Sequence, residues 1–468
     1  MKYYIKPTIV LAFSISSIFS AAAQDKAPNT ARILDLQRTI ETAIFNDPWL
    51  VGNKHAQDAV DSMSVAAGSL PDPKVSIDMA NLPTNSFDFG QEAMTQFKVG
   101  LSQAFPPGDS RRIKRQQLQY KGAAFPFLRQ DRRAKITVTV GQLWLNIYLA
   151  RESIALIEKN RVLFEQLADV AESSYSTAKG KSRQQNVIRA QLEITRLEDR
   201  LTMLRQKQDM FQEKLSEWLN GSFINQYPNH QNTDRRTQTS HYTFTKTLPE
   251  ITLLKPQLYT LSSETGTQSL FEHLSNHPSM RVIEQKIRES DAGINLAEQK
   301  YKPEWGIRAG YGYRGNDPLG NNRSDLFSVG ITFNVPLFTR NRQDREVQSA
   351  QSTMSAVKTE KWQLARKLIA SFETAKTQLL RLNQRQKLYE SQLLPQIHEQ
   401  AEASLTAYTN DDGDFAEAVR ARIAEIDAEI DALTINVERQ KTILQLNYFF
   451  ITNVNETVAG NHRLGDIQ

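Results

Sequence analysis

Four short stretches of the chain alternate apolar and polar residues, and almost everything around them repeats at helical spacing. Val75, Ile77 and Met79 alternate with Ser76 and Asp78, and Phe97, Val99 and Leu101 with Lys98, Gly100 and Ser102, the period of two of a half-buried strand. Further on, Trp305, Ile307, Ala309, Tyr311 and Tyr313 alternate with Gly306, Arg308, Gly310, Gly312 and Arg314, and Phe327, Val329, Ile331, Phe333 and Val335 with Ser328, Gly330, Thr332 and Asn334. One face of each strand is apolar or aromatic, and the other is polar or glycine. Residues 30 to 68 predict a helix ended by Gly68 and the Leu70-Pro71-Asp72-Pro73 break. Residues near 109 to 178 and 340 to 409 predict about 70 residues of helix each, interrupted mainly by Pro126 and by Pro395, or about 100 Å of rod at roughly 1.5 Å per residue. The helices that return carry coiled-coil steps: Val187, Ala190, Ile194, Leu197, Leu201 and Leu204, then Val419, Ile423, Ile426, Ile430, Leu433 and Val437.

The plan is written twice. Asn46-Asp47-Pro48 is matched by Asn276-His277-Pro278, Pro73 by Pro303, Phe97-Lys98-Val99-Gly100 by Phe327-Ser328-Val329-Gly330, and Pro106 by Pro336, all 230 residues apart. Tyr175 and Gly180 recur at Tyr408 and Gly413 with a spacing of 233, and Val187, Ile194 and Leu201 at Val419, Ile426 and Leu433 with a spacing of 232. The expected units are a first repeat over 24–219 (helix, strand pair, long helical hairpin), an inter-repeat segment over 220–267 rich in Asn, Thr, Gln and Pro, a second repeat over 268–452, and a flexible tail over 453–468.

Residues 1–23 predict a signal peptide. Lys2 and Lys6 form a basic start, Ile9 to Phe19 an apolar run, and Ala21-Ala22-Ala23 the small residues expected before cleavage. About 11 apolar residues are too few to cross a bilayer, which takes roughly 20. Composition then narrows the chemistry. None of the 468 residues is Cys, which removes thiol catalysis, disulfides, Cys-ligated zinc, iron–sulfur clusters and a lipidated N-terminal cysteine. A hydrophobic fraction of 40% with mean hydropathy of -0.50 excludes a bundle of membrane-spanning helices. The formal charge of +5, part of which leaves with the signal peptide, does not call for nucleic acid.

The strands need a cover for their apolar faces, and the rods offer no second sheet. An apolar outside with aromatic ends and a polar, Gly-rich inside is the pattern of an outer-membrane strand. Val75, Ile77, Phe97 and Val99 are then lipid-facing in the first pair, and Trp305, Ile307, Tyr311, Phe327, Val329, Ile331 and Phe333 in the second. Four strands cannot close a barrel, which takes about eight, and an open edge cannot stand in lipid, so several chains must share one barrel.

At this point the residues resemble a known family. The duplicated plan, the Asn-x-Pro helix openings, the Phe-x-Val-Gly strands closing on Pro106 and Pro336, and the Tyr-x4-Gly turns at 175–180 and 408–413 resemble the TolC family of outer membrane efflux channels, over nearly all of residues 30 to 450. Leu70-Pro71-Asp72-Pro73, Asn81-Leu82-Pro83, Met94-Thr95-Gln96 and Gln103-Ala104-Phe105-Pro106-Pro107-Gly108 resemble its heavy-metal (CusC/CzcC-like) branch. The resemblance implies a mainly α chain with a small β part. Duplicated long α-helical hairpins and four transmembrane β-strands per chain would build a homotrimer, whose 12-stranded β-barrel in the outer membrane continues into a periplasmic α-barrel. It also implies a periplasmic adaptor (membrane fusion) protein and an inner-membrane pump of the resistance-nodulation-division type as partners. The expected function is passive conduction of exported substrate, heavy-metal cations first, with multidrug efflux or type I protein secretion as the alternative.

The gate is expected where the helical turns narrow the tunnel. Asp411, Asp412 and Asp414 of the second turn would place nine carboxylates near a threefold axis, and the basic first turn supplies Lys179, Lys181 and Arg183 as possible gate partners. The competing reading is that these aspartates only cap a helix and solvate a loop. Other chemistry is weak. Gly180-Lys181-Ser182 has Tyr175 where a phosphate loop needs Gly, Tyr408 and Val419 stand where a calcium loop needs ligands, and Met79 shares an apolar face. His273 and His277 have helical metal spacing but lack an evident third ligand. No cofactor, no metal centre and no enzymatic activity are expected. A periplasmic adaptor would need domains of many short strands, and a secreted coiled coil would not carry aromatic strand pairs.

Overall fold

A computed structural model describes residues 33–176, 184–220, 243–259, 270–410 and 414–451. The expected signal peptide, residues 221–242 and the expected tail lie outside them. The first half runs β1 (Ile33–Leu34), α1 (Leu36–Asn46), α2 (Pro48–Gly68), β2 (Lys74–Ala80), β3 (Gln96–Phe105), α3 (Ser110–Ser176) and α4 (Gln184–Leu219). Then come β4 (Thr243–Phe244), a 3-10 turn at Pro256–Tyr259, α5 (Pro278–Gln299), β5 (Glu304–Tyr313), β6 (Leu326–Asn334), α6 (Gln343–Leu388), a π-turn at Tyr389–Leu393, α7 (Leu394–Thr409) and α8 (Phe415–Tyr448).

The two Asn-x-Pro openings start equivalent helices. Asp47 caps α2 by accepting from the Trp49 amide, His277 caps α5 by accepting from the Ser279 amide, and Pro48 and Pro278 follow in the first turn, where a missing N–H costs nothing. The strand patterns become one antiparallel sheet of order β2-β3-β5-β6. Its register pairs Ile77 with Val99, Val99 with Tyr311 and Tyr311 with Phe327, so the apolar residues of all four strands share one face. That face is bare: Phe327 is 73% exposed and Ile77 67%. Among the described residues, β2 and β6 each keep one unpaired edge.

The break expected at Pro126 does not occur. Helix α3 is continuous from Ser110 to Ser176. The proline forfeits one backbone hydrogen bond and crowds the carbonyl four residues earlier, but α2 and α5 pack against the rod and keep it helical through the defect. Pro395 is absorbed differently. Just before it the helix widens into a π-turn, where the Leu394 amide donates to Tyr389 five residues back, and then resumes as α7.

The rods are held together by three apolar clusters. In the first, Trp144, Leu145 and Ile147 of α3 meet Leu215 of α4, Val437 and Leu444 of α8, and the small β1–β4 parallel pair. In the second, Leu368, Phe372 and Leu379 of α6 meet Leu446, Phe449 and Phe450 at the end of α8. The third joins Ile157 and Phe164 of α3 to Ala190, Leu197 and Leu201 of α4 and to Val419 and Ile426 of α8, with Val187, Ile194, Leu204, Ile423 and Ile430 beside them, so the coiled-coil steps do face a shared seam. The described part of the inter-repeat segment is strapped to α8. Gln440 accepts from the Ile251 amide, while Asn447 accepts from Leu254 and donates to the Thr252 carbonyl, which accounts for two buried amides in an apolar helix.

Candidate pore and gate

The sheet divides its residues by face, and the face opposite the apolar one is where a channel would carry solute. Cross-strand rows run Lys74–Ser102–Arg308–Gly330, then Ser76–Gly100–Gly310–Ser328, then Asp78–Lys98–Gly312. A shallow cavity of about 430 Å³ lies over these rows. The glycines are seats for their neighbours. A Cβ on Gly330 would stand 2.8 Å from Arg308 Nε, and one on Gly310 would stand 3.2 Å from Lys98 Cε. The long cationic side chains therefore lie along the sheet where a larger residue would push them outward. All eleven residues expected to meet lipid lie on the other face and are exposed in the single chain.

The helical ends place only part of the expected gate. Asp414 caps α8, accepting from the Ala416 amide at 3.2 Å. Asp411, Asp412, Lys179, Lys181 and Arg183 lie outside the described residues. Higher on the rods the structure groups charges that sequence reasoning missed. Arg422 of α8 bonds Glu402 of α7 at 2.9 Å and also Glu425, whose other oxygen lies 2.6 Å from His398 Nδ1. The Glu425 hydrogen bond, helped by its charge, raises the His398 pKa above its ordinary value. Burial, followed by the charge of Glu425, raises that of Glu429. The helices of the first hairpin are laced by Arg161–Glu198 and Arg205–Glu158 between α3 and α4, and Arg200 of α4 pairs with Asp427 of α8. Helical i,i+3 and i,i+4 spacing could have suggested Arg422–Glu425. The links between helices join residues far apart in the chain, and no local pattern announces them.

A second polar centre sits where the rods meet the upper helices. Arg132 forks onto the two Asp47 oxygens at 2.8 and 3.1 Å, with Trp49 and Trp218 against its guanidinium. The Asp47 side chain is only 3% exposed, so losing its partner would strand a buried charge at a cost of about 3 kcal/mol. The matching residue of the second repeat, His277, is wired to a different network. Its Nε2 meets the Tyr448 carbonyl at 3.2 Å, and the Tyr448 hydroxyl donates to Asp131, which pairs with Lys135. A carbonyl only accepts, so His277 carries its proton on Nε2 and offers Nδ1 to Ser279. Burial lowers the His277 pKa. The histidine expected as a weak metal candidate is thus occupied as a helix cap.

Residues 270–447 match the family model described as outer membrane efflux protein. No curated protein matches the chain in sequence. Solved structures extend the likeness to nearly the whole fold. A CusC structure shares 15% identity and a TM-score of 0.68, over 92% of this chain and 95% of its own. The Campylobacter jejuni CmeC outer membrane channel shares 11% and 0.69, over 97% and 98%. The open state of the Neisseria gonorrhoeae MtrE outer membrane channel shares 14% and 0.65, over 89% and 88%. The fold is therefore that of the outer membrane efflux channels, and residues 270–447 also match the family model in sequence.

Proposed function

We propose that the chain is one subunit of a trimeric outer membrane channel in a tripartite efflux system, conducting passively what an inner-membrane pump and its adaptor deliver. One observation carries this reading. A four-stranded antiparallel sheet has a bare apolar face, a polar Gly-lined face and two unpaired edges, and it sits atop rods long enough to cross a periplasm. Three such sheets joined edge to edge bury every edge and turn every apolar face to lipid. Among the described residues no helix is long and apolar enough to cross a membrane. The sheet is then the anchor, the helices stand in the periplasm, and the protein is a conduit without enzymatic chemistry.

The cargo assigned to this channel is heavy-metal cations. The Leu70–Pro73 and Gln103–Gly108 segments, similar to the metal branch, support it, and so does the CusC likeness. The likenesses to CmeC and MtrE keep multidrug efflux, or type I secretion through the same fold, as the second reading. The acidic turn Asp411, Asp412 and Asp414 is assigned the closed constriction, with Lys179, Lys181 and Arg183 of neighbouring turns as its partners. A strain lacking the protein should become hypersensitive to copper, silver, zinc, cobalt or cadmium with drug tolerance unchanged. Sensitivity to dyes, detergents or antibiotics instead moves the channel to the drug branch. Absence of the tagged protein from outer-membrane fractions overturns the channel itself.

A further inference from the structure

The polar face of the sheet carries charges that its role as a wet surface does not require. Lys74, Lys98 and Arg308 stand on it beside two acids, Asp78 and Glu304. Their arrangement matters more than their number. Lys74 and Arg308 fall in one cross-strand row, separated only by Ser102, and Lys98 leans from the row of Asp78 over Gly310 toward them. None of the three cations has a hydrogen bond or ion pair among the described residues. Elsewhere this chain pairs its charges readily, as in Arg132–Asp47 or Lys286–Glu360. Asp78 stands opposite Lys98 and offsets part of the charge, but Ser76, Ser102 and Ser328, the other neighbours, are small hydroxyl residues that neutralise nothing. The glycines beneath the Arg308 and Lys98 side chains let them lie flat, so they charge the wall without narrowing the passage.

We propose that Lys74, Lys98 and Arg308 form a cationic band on the inner wall of the barrel, which makes this section of the pore prefer small anionic solutes over cationic ones. The inference rests on the channel reading, because only a closed barrel brings the rows of successive chains together. In three chains the face holds nine cations against the six carboxylates of Asp78 and Glu304, a net positive charge around a lumen with low-dielectric walls, where fields of one sign add. Salt screens these fields over about 8 Å at physiological ionic strength, so a wide lumen keeps a preference of a few-fold and does not exclude cations. The barrel and the acidic helical turns would thus bias passage in opposite senses at the two ends of one conduit.

The absence of native cysteine provides the test. Ser328→Cys places a thiol in the row between Arg308 and Lys98 of the full-length protein in outer-membrane vesicles, and Val329→Cys places one on the opposite face. Labelling rates are measured with anionic sulfonatoethyl and cationic trimethylammonioethyl methanethiosulfonates, each divided by the rate with a free small thiol. The proposal expects the anionic reagent to be favoured about three-fold or more at Ser328→Cys. That ratio should fall to unity or below when Lys74→Gln, Lys98→Gln and Arg308→Gln are added, because Asp78 and Glu304 remain on the face. A ratio of one or below at Ser328→Cys alone, or one that the three substitutions leave unchanged, overturns the cationic band while the lumen assignment stands. Labelling of Val329→Cys with neither reagent reaching Ser328→Cys would reverse the two faces and overturn the channel reading with it.

Discussion

His277 and His398 are placed to respond to acid in opposite directions. Burial holds the His277 pKa below its ordinary value, so the unfolded chain binds a proton there more readily than the folded one. Its neutral form is what the fold accepts, and stability falls as pH drops below about 6.5. His398 is raised by Glu425, so its contribution is complete below about 6.5 and is lost as pH rises through its higher folded value. Thermal unfolding followed by circular dichroism at pH 5.5 and 7.5 separates them. His277→Asn, which keeps a capping side chain, should shrink the loss of Tm on acidification, and His398→Gln should enlarge it. An unchanged pH slope in His277→Asn would show that burial does not set this titration. The capping motif around His277 is legible in the sequence, since an Asn-x-Pro opening repeats at 230 residues. Its partner is not, because the Tyr448 carbonyl lies 171 residues away, and the first repeat gives its equivalent, Asp47, a different partner in Arg132.

At the scale of elements, strands and coiled-coil seams were readable because their signals are local periodicities, and the register of the sheet then followed from keeping every apolar residue on one face. Pro126 misled for the complementary reason: its local preference is to break a helix, and packing by α2 and α5 overrides it. Gly141 was silent. It sits within α3, where glycine costs roughly 1 kcal/mol against alanine, and it stays because a Cβ there would stand 2.6 Å from Leu444 Cδ1 of α8. Crowding of a packed contact costs about 1–3 kcal/mol, more than helix propensity returns, so Gly141→Ala should destabilise the protein by about 1 kcal/mol. In Gly141→Ala with Leu444→Ala the losses should fall short of additive. A rise in denaturation midpoint for Gly141→Ala alone would show that α3 and α8 can separate at no cost.

At the scale of the whole molecule, the proposed gate would need residues from different turns to meet near an axis that one chain does not contain. Sequence could name the acidic turn but not who faces it, because that pairing belongs to the assembly. Asp414 has two possible duties, capping α8 and charging the constriction, and they can be separated. Asp414→Ser keeps the cap and removes the charge. Combined with Asp411→Ala it should raise conductance in planar bilayers by about two-fold or more and admit bulky antibiotics to cells. Unchanged conductance and permeability would reduce these aspartates to caps and solvation.

The two unpaired strand edges tie each chain's fate to its companions. A lone subunit has no closed state available in lipid, so entry into the membrane and choice of companions are a single event. In a cell making sound copies together with copies damaged at one edge, any proposed trimer that recruits one damaged copy fails to seal at one of its three seams. Inheritance of such a lesion would follow the composition of the assemblies, not the average of the copies, and a minority of poor chains would silence a majority of good ones.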